Sequence, residues 1–292
     1  MTTVGIIGGT GLYNLEGMTS VREIKVDTPF GEPSDVLVTG ELQGVRLVFV
    51  PRHGRGHRLL PSEVPYRPNV FALKSLGVEW LLSVSAVGSM QEDIHPGQIV
   101  IPAQYIDRTR GRPSTFFGDG IVAHVGLADP VCPTLAAYLT ATVTGCGLSC
   151  HSGGTYVCME GPAFSTRAES LTYRQWGVDV IGMTAIPECK LAREAELHYA
   201  TLALVTDFDC WHQAEEDVSV DAVLETLRQN TSNVRKILER ALPGMDEMAR
   251  KRQGEPECTC HDALANAIVT NPDVIPAERL EALQPIVGKY LS

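Results

Sequence analysis

Val4-Gly5-Ile6-Ile7-Gly8-Gly9-Thr10-Gly11 is a short apolar run that emerges into glycines. The same form recurs twice: Leu81 to Ser85 runs into Ala86-Val87-Gly88-Ser89, and Val180-Ile181 runs into Gly182-Met183-Thr184. Short apolar runs of this kind, alternating with amphipathic stretches, predict strands and helices interleaved in a single α/β domain. Ligands of such sheets collect where strand ends open into loops, so these three loops are the first candidates for a site.

On either side of them, Val36 to Val38 and Val45 to Val50 read as a hairpin around Gln43-Gly44. Further strands are expected near 99–101, 155–159 and 200–206, with helices at 70–76, 133–144, 166–176 and 188–196, which makes the sheet mixed. Thr166 and Glu169 have the capping-box spacing that starts a helix. Val220, Val223, Leu224 and Leu227 give an i, i+3, i+4, i+7 stripe behind Ser219 as N-cap, so a long helix begins there. From Pro243 to Glu257 the composition turns polar and charged. The expected organisation is therefore a main domain over 1–242, a connector over 243–257 and a C-terminal helical extension over 258–292.

Lys and Arg number 24 against 35 Asp and Glu in 292 residues, a net charge of −11. A field of that sign repels nucleic acid and acidic membrane surfaces, so an anionic ligand needs a local cationic site. The uncharged stretch between Asp129 and Glu160 is broken by Thr, Ser and Gly and does not read as a membrane span. The first basic residue is Arg22, so no secretory n-region opens the chain and the cytosol is the expected compartment. Eight cysteines in such a chain are expected to be reduced, most of them in the core.

Several residues could carry chemistry. Thr10 within the first glycine loop can approach an anion, although a plain structural turn fits as well. A dinucleotide fingerprint fails there, because position 14 is Asn and no helix pattern follows at once. Arg52-His53-Gly54-Arg55-Gly56-His57-Arg58 gathers three Arg and two His in an acidic chain, which suits phosphate; a solvated basic loop or a surface ion-pair partner is the alternative. Met183 and Thr184 could line a sugar site, or Met183 could simply fill core. Asp207 and Asp209 follow an apolar run at i and i+2, the same side of extended chain. Such a pair suits acid catalysis plus recognition, with metal binding or a capped helix start as competitors. Cys258-Thr259-Cys260-His261 raises zinc, but with no second cluster of matching spacing a local disulfide, a redox pair or a helix start is expected, and no metal site.

Taken together, Gly5 to Gly11, Arg52-His53-Gly54, Ser85 to Ser89, Glu160-Gly161-Pro162, Met183-Thr184 and Thr206-Asp207-Phe208-Asp209 resemble the 5'-methylthioadenosine phosphorylase family, in order and from residue 4 to about 242. That family belongs to the trimeric purine nucleoside phosphorylases, and the Cys258-x-Cys260 tail is similar to its archaeal-type, hexamer-forming branch. The resemblance implies a partly barrel-like central sheet and the phosphorolysis of methylthioadenosine to adenine and 5-methylthioribose 1-phosphate, with phosphate as co-substrate and no cofactor. It implies that Thr10, Arg52, His53, Ser85, Ala86 and Thr184 surround phosphate, and that Asp207 and Asp209 meet N7 and N6 of adenine. Met183 would lie against the ribose and Phe164 near base and sugar. Val220, Val223 and Leu224 would line the methylthio pocket, with His124 entering from a neighbouring subunit of a trimer or a dimer of trimers. Gly182 and Val87 depart from animal relatives, which carry Asn and Cys there. A phosphorylase of other purine nucleosides, such as adenosine, inosine or methylthioinosine, is the nearest alternative; Asp209 disfavours a 6-oxopurine. A nicotinamide-dependent oxidoreductase or a non-catalytic nucleoside-binding module would be the reading from another class.

Overall fold

The computed structural model describes residues 1–9, 12, 15–212, 220–251 and 258–291, with residues 220–229 as backbone only. In chain order the elements begin β1 (Thr3–Gly8), β2 (Thr19–Ile24), β3 (Leu37–Leu42), β4 (Val45–Pro51), α1 (Tyr66–Ser75) and β5 (Trp80–Ser89). There follow β6 (Ile99–Ile101), β7 (Gln104–Arg108), α2 (Pro133–Gly145), β8 (Cys150–Ser152), β9 (Thr155–Met159) and α3 (Arg167–Gln175). The chain then forms β10 (Val180–Gly182), α4 (Glu188–Glu194), β11 (His198–Asp207), α5 (Val220–Lys251), α6 (Ala277–Ala282) and α7 (Gln284–Val287).

β5 is the hub of a mixed sheet. β11 lies parallel along one of its edges from Trp80 to Gly88. The other edge is shared: β1 pairs parallel with it up to Ser83, and β10 pairs antiparallel with Gly88 and Ser89. From β11 the ladder passes to β6, whose chain runs on into β7, then through β9 and β10 back to β5. That circuit is the barrel-like part of the sheet, and β1, β4, β3 and β2 extend from it as an open wing.

Successive residues of β1 go to opposite faces. Val4 and Ile6 pack with Leu47, Leu82, Leu202 and the helices α2 and α5, whereas Ile7 packs with Val48, Leu81, Tyr199 and the helices α1 and α4. Burial on both faces explains why the strands read as unbroken apolar runs. The hairpin forms as expected, with Gln43 and Gly44 both at positive φ. Both bonds of the Thr166–Glu169 capping box are present.

β2, β7 and β8 were not expected. β2 is an exposed, polar edge strand, Thr-Ser-Val-Arg-Glu-Ile, held by pairing to β3 rather than by burial. The connector expectation needs correction, because α5 continues through Pro243 to Lys251. Val234, Ile237, Leu238, Ala241, Leu242 and Met245 form one buried stripe across the proline, and that packing outweighs its helix penalty of about 3 kcal/mol. Gly244 then leaves room for Tyr138, whose hydroxyl donates to the Ala241 carbonyl at 2.9 Å. Residues 252–257 and the expected N-cap Ser219 lie outside the described residues. The C-terminal extension contains α6 and α7, and Leu283, Ile286 and Val287 pack into the same core as α1. No disulfide joins Cys258 to Cys260: all eight cysteines are free thiols, and Cys260 opens a short 3-10 turn. No helix among the described residues is long and apolar enough to cross a membrane.

Candidate active site

Between Ser83, where β1 leaves, and Gly88, where β10 arrives, one edge of β5 carries no strand. A cavity of about 440 Å³ opens against it, lined there by Val84, Ser85, Ala86 and Val87. Its volume suits a small-molecule ligand. The loop after β4 contributes Arg52, His53, His57 and Arg58; the end of β11 contributes Thr206, Asp207 and then Asp209. The loop after β9 and the end of β10 supply Phe164, Gly182, Met183 and Thr184.

Arg52 is only 2% exposed. Its Nε and Nη2 donate to both oxygens of Glu188 on α4 at 3.0 and 3.2 Å. Nη1 donates to the Val84 carbonyl at 2.8 Å, and Nη2 to Ser83 Oγ at 2.8 Å and the Ile7 carbonyl at 3.2 Å. Burial works against this charge, and the Glu188 carboxylate outweighs it and raises the guanidinium pKa. The sequence suggested an open cation; the structure shows a neutralised one that still borders the cavity. Nη1 has one further N–H for a ligand.

His53 Nδ1 faces the Leu59 carbonyl at 2.9 Å. A carbonyl only accepts, so Nδ1 carries the hydrogen and Nε2 of the neutral ring is an acceptor. Burial, reinforced by Arg52, lowers the His53 pKa to about 4, so the ring is neutral at pH 7. His57, which the sequence reading did not single out by itself, stacks on His53 with centroids 4.3 Å apart. Ser85 Oγ is buried and, among the described residues, makes no hydrogen bond of good geometry, its side chain interacting only weakly with the Tyr156 hydroxyl, so it can serve a ligand as donor or acceptor. Ala86, Thr184 and Gly9 line the same end.

At the other end, Asp207 accepts from Thr206 Oγ1 at 2.7 Å and from the Asp209 amide at 2.8 Å. Asp209 adopts φ 51°, turning the chain back after β11, and both its carboxylate oxygens face Ser165 Oγ at 2.9 and 2.7 Å. A Cβ at Gly88 would stand 2.8 Å from Asp207 Oδ1, so the glycine admits the carboxylate. A Cβ at Gly182 would stand 2.0 Å from the Tyr156 hydroxyl, which excludes any larger residue while that ring keeps its place.

Arg112 was not legible from sequence. It donates to the Glu160 carboxylate and carbonyl, to the carbonyls of Met183 and Ile186, and to Tyr66 Oη, all at 2.7 to 3.1 Å. It thereby ties the Glu160-Gly161-Pro162 loop to the Met183 loop. His124 is exposed and is not among the described residues that line the cavity of its own chain, and its amide donates to the Ala267 carbonyl at 2.8 Å. Thr10 and the side chains of Val220, Val223 and Leu224 lie outside the described residues, and Thr231 is the cavity residue that α5 supplies within them.

Glu188 is 1% exposed, so its neutralisation would strand the Arg52 charge in the core. Glu188→Gln is expected to lower the unfolding free energy by about 3–5 kcal/mol, measured as a fall in the urea midpoint at constant m-value. A loss below about 1 kcal/mol, the size of an exposed ion pair, would show that water shares the site.

Comparison with known proteins shows the family to which this fold belongs. The family model described as Phosphorylase superfamily matches residues 3–243. The S-methyl-5'-thioadenosine phosphorylase of Geobacter sulfurreducens is 56% identical over 289 residues, covering 99% of each chain. That of Thermosynechococcus vestitus is 54% identical over 291 residues, again with 99% of each covered. Among solved structures, a methylthioadenosine phosphorylase sourced from an antarctic soil metagenomic library has a TM-score of 0.90 at 51% identity, over 98% of both chains. The Schistosoma mansoni methylthioadenosine phosphorylase in complex with adenine has a TM-score of 0.78 at 41% identity, over 85% of this chain and 93% of that one. On this sequence and structural agreement, the chain belongs to the phosphorylase superfamily and, within it, to the S-methyl-5'-thioadenosine phosphorylase family.

Proposed function

We propose that the chain cleaves S-methyl-5'-thioadenosine with inorganic phosphate, yielding adenine and 5-methylthioribose 1-phosphate, in purine and methionine salvage. The observation that carries this reading is the pairing, in one cavity, of an anion end at Ser85, Arg52 and His53 with a carboxylate end at Asp207 and Asp209. Phosphate rests on the open edge of β5, held by Ser85, Ala86, Thr184 and the remaining N–H of Arg52, with Thr10 as a further phosphate-binding residue. His53 Nε2, an acceptor, takes the hydrogen bond of a monohydrogen phosphate.

The glycosidic bond between C1' and N9 breaks with its electron pair moving to the purine, and a phosphate oxygen bonds to C1'. The sugar is cation-like between the two events, and the adjacent phosphate stabilises it. Asp207 supplies a proton at N7 as general acid, and the proton of the monohydrogen phosphate balances the reaction. Asp209, oriented by Ser165, accepts from the 6-amino group and so selects adenine over a 6-oxopurine. Met183 and Phe164 cover the sugar and base, and Val220, Val223 and Leu224 are assigned to the methylthio pocket by family resemblance. No cofactor enters the scheme, since phosphate is the nucleophile. A cytoplasmic setting fits the free thiols.

His124 completes the methylthio pocket of a neighbouring subunit in this reading, which makes the working unit a homotrimer or a dimer of trimers. Exposure of Val122 and His124 on their own chain supports such a contact.

Adenine release from methylthioadenosine should require phosphate, and Asp207→Asn should lower turnover by about 100-fold or more. Unchanged turnover would remove Asp207 from the acid role, phosphate-independent release would indicate hydrolysis, and equal use of inosine would favour the broader purine phosphorylase. Mixing subunits inactivated at Asp207 with subunits inactivated at His124 should regenerate sites that own both groups. No rescue in demonstrated mixed trimers would leave His124 on an ordinary surface.

A further inference from the structure

Cys258 and Cys260 do not stand alone. The fold brings Cys132 and His198 against them, and the three sulfurs and one ring nitrogen all lie within 4.8 Å of one another. Cys132 Sγ is 3.6 Å from Cys258 Sγ and 3.4 Å from His198 Nδ1, and Cys258 Sγ is 3.2 Å from the same nitrogen. With zinc–sulfur bonds of about 2.3 Å and zinc–nitrogen bonds of about 2.0 Å, the edges of a tetrahedron are about 3.8 Å between sulfurs and about 3.5 Å between sulfur and nitrogen. The observed separations therefore match the edges of a tetrahedral site to within a few tenths of an ångström. A disulfide needs about 2.05 Å between sulfurs, far less than the 3.6 Å between Cys132 and Cys258, and the four ligand atoms instead lie together within 4.8 Å.

We propose that Cys132, His198, Cys258 and Cys260 form a structural zinc site. Three thiolates and one neutral imidazole are a closed ligand set for this metal, with no position left for substrate. Binding releases the thiol protons to solvent and involves no change of oxidation state. The outer groups suit ligated sulfur. Cys132 is the N-cap of α2, and the Leu135 amide donates to its Sγ at 3.5 Å; Arg193 Nη1 stands 3.8 Å from Cys260 Sγ. Such N–H donors disperse thiolate charge and fix ligand orientation. The His198 ring is buried and stacked on Trp80 with centroids 4.2 Å apart, which presents Nδ1 in one orientation.

Three distant parts of the chain meet here: the start of α2, the start of β11 and the beginning of the C-terminal extension. The metal anchors that extension where it returns to the core. The site is separate from the chemistry, since His198 and Asp207 occupy opposite ends of β11, about 30 Å apart at the rise of a strand.

The test begins with the full-length protein purified in reducing, chelator-free buffer and measured for bound metal. About one zinc per chain is expected. Protein produced in cobalt-supplemented medium should show the intense d–d absorption of tetrahedral cobalt and a thiolate charge-transfer band. Cys258→Ser with Cys260→Ser should lower zinc content at least about 10-fold, and chelation of the unsubstituted protein should lower its Tm. If the double variant fails to fold, the cobalt spectrum of the unsubstituted chain still decides. Reduced protein that binds neither zinc nor cobalt, a six-coordinate cobalt spectrum, or a disulfide between Cys132 and Cys258 in unreduced digests would each overturn the site.

Discussion

The Arg52 guanidinium sits where β1 parts from β5, and the rest of the site is arranged around it. It bonds to the Ile7 carbonyl at the end of β1, to Ser83 and Val84 on β5, and to Glu188 on α4. Without it, backbone acceptors at the fork would be buried and unsatisfied, which costs about 1–3 kcal/mol for each group. Glu188 in turn makes a full charge tolerable there. The pair thus holds open the stretch of β5 edge from 84 to 87, against which the cavity forms. An interaction that contributes little net stability by itself can still specify where a sheet divides.

The runs at 4–9, 81–89 and 180–184 were legible because strands buried on both faces are continuous in sequence, but the loop expected at 86–89 is instead the continuation of β5, whose small residues carry the strand past the point where β1 leaves it. Asp207 and Asp209 were legible for a similar reason, standing two residues apart at the end of an apolar run. Glu188, Ser165 and Arg112 were not. Each has a partner between 44 and 136 residues away, Arg52 for Glu188, Asp209 for Ser165 and Met183 for Arg112, and a lone Glu, Ser or Arg carries no local signal of such a distant bond. The Arg52 cluster was legible as charge, while its neutralisation by Glu188 was not. The 243–257 segment misled because its composition is polar and charged, whereas the apolar stripe that carries α5 across Pro243 is spread over 234–245. Of the alternatives for the cysteine pair, the helix start is present at Cys260, but Cys132 and His198, which the fold brings against the pair, lie 126 and 60 residues from Cys258, so a search for a nearby second cluster could not find them.

β11 connects these features. Its first residue, His198, belongs to the sulfur cluster, and its last, Asp207, to the cavity; between them it pairs with β5 along the length that β1 and β10 divide. The strand is buried almost throughout, so neither end can shift without disturbing packing on both faces. Anchoring one end and hydrogen-bonding the other therefore gives the carboxylate pair a rigid base, while the glycines at 88 and 182 supply the close approaches that larger residues would block.

The most direct measurement is a crystal structure of the protein grown with inorganic phosphate. The account predicts phosphate on the open edge of β5, within hydrogen-bond distance of Ser85 Oγ and the Ala86 amide, with Arg52 still paired to Glu188. Phosphate bound elsewhere in the cavity with the 84–87 edge unengaged, or an Arg52 that abandons Glu188 to reach it, would contradict the account.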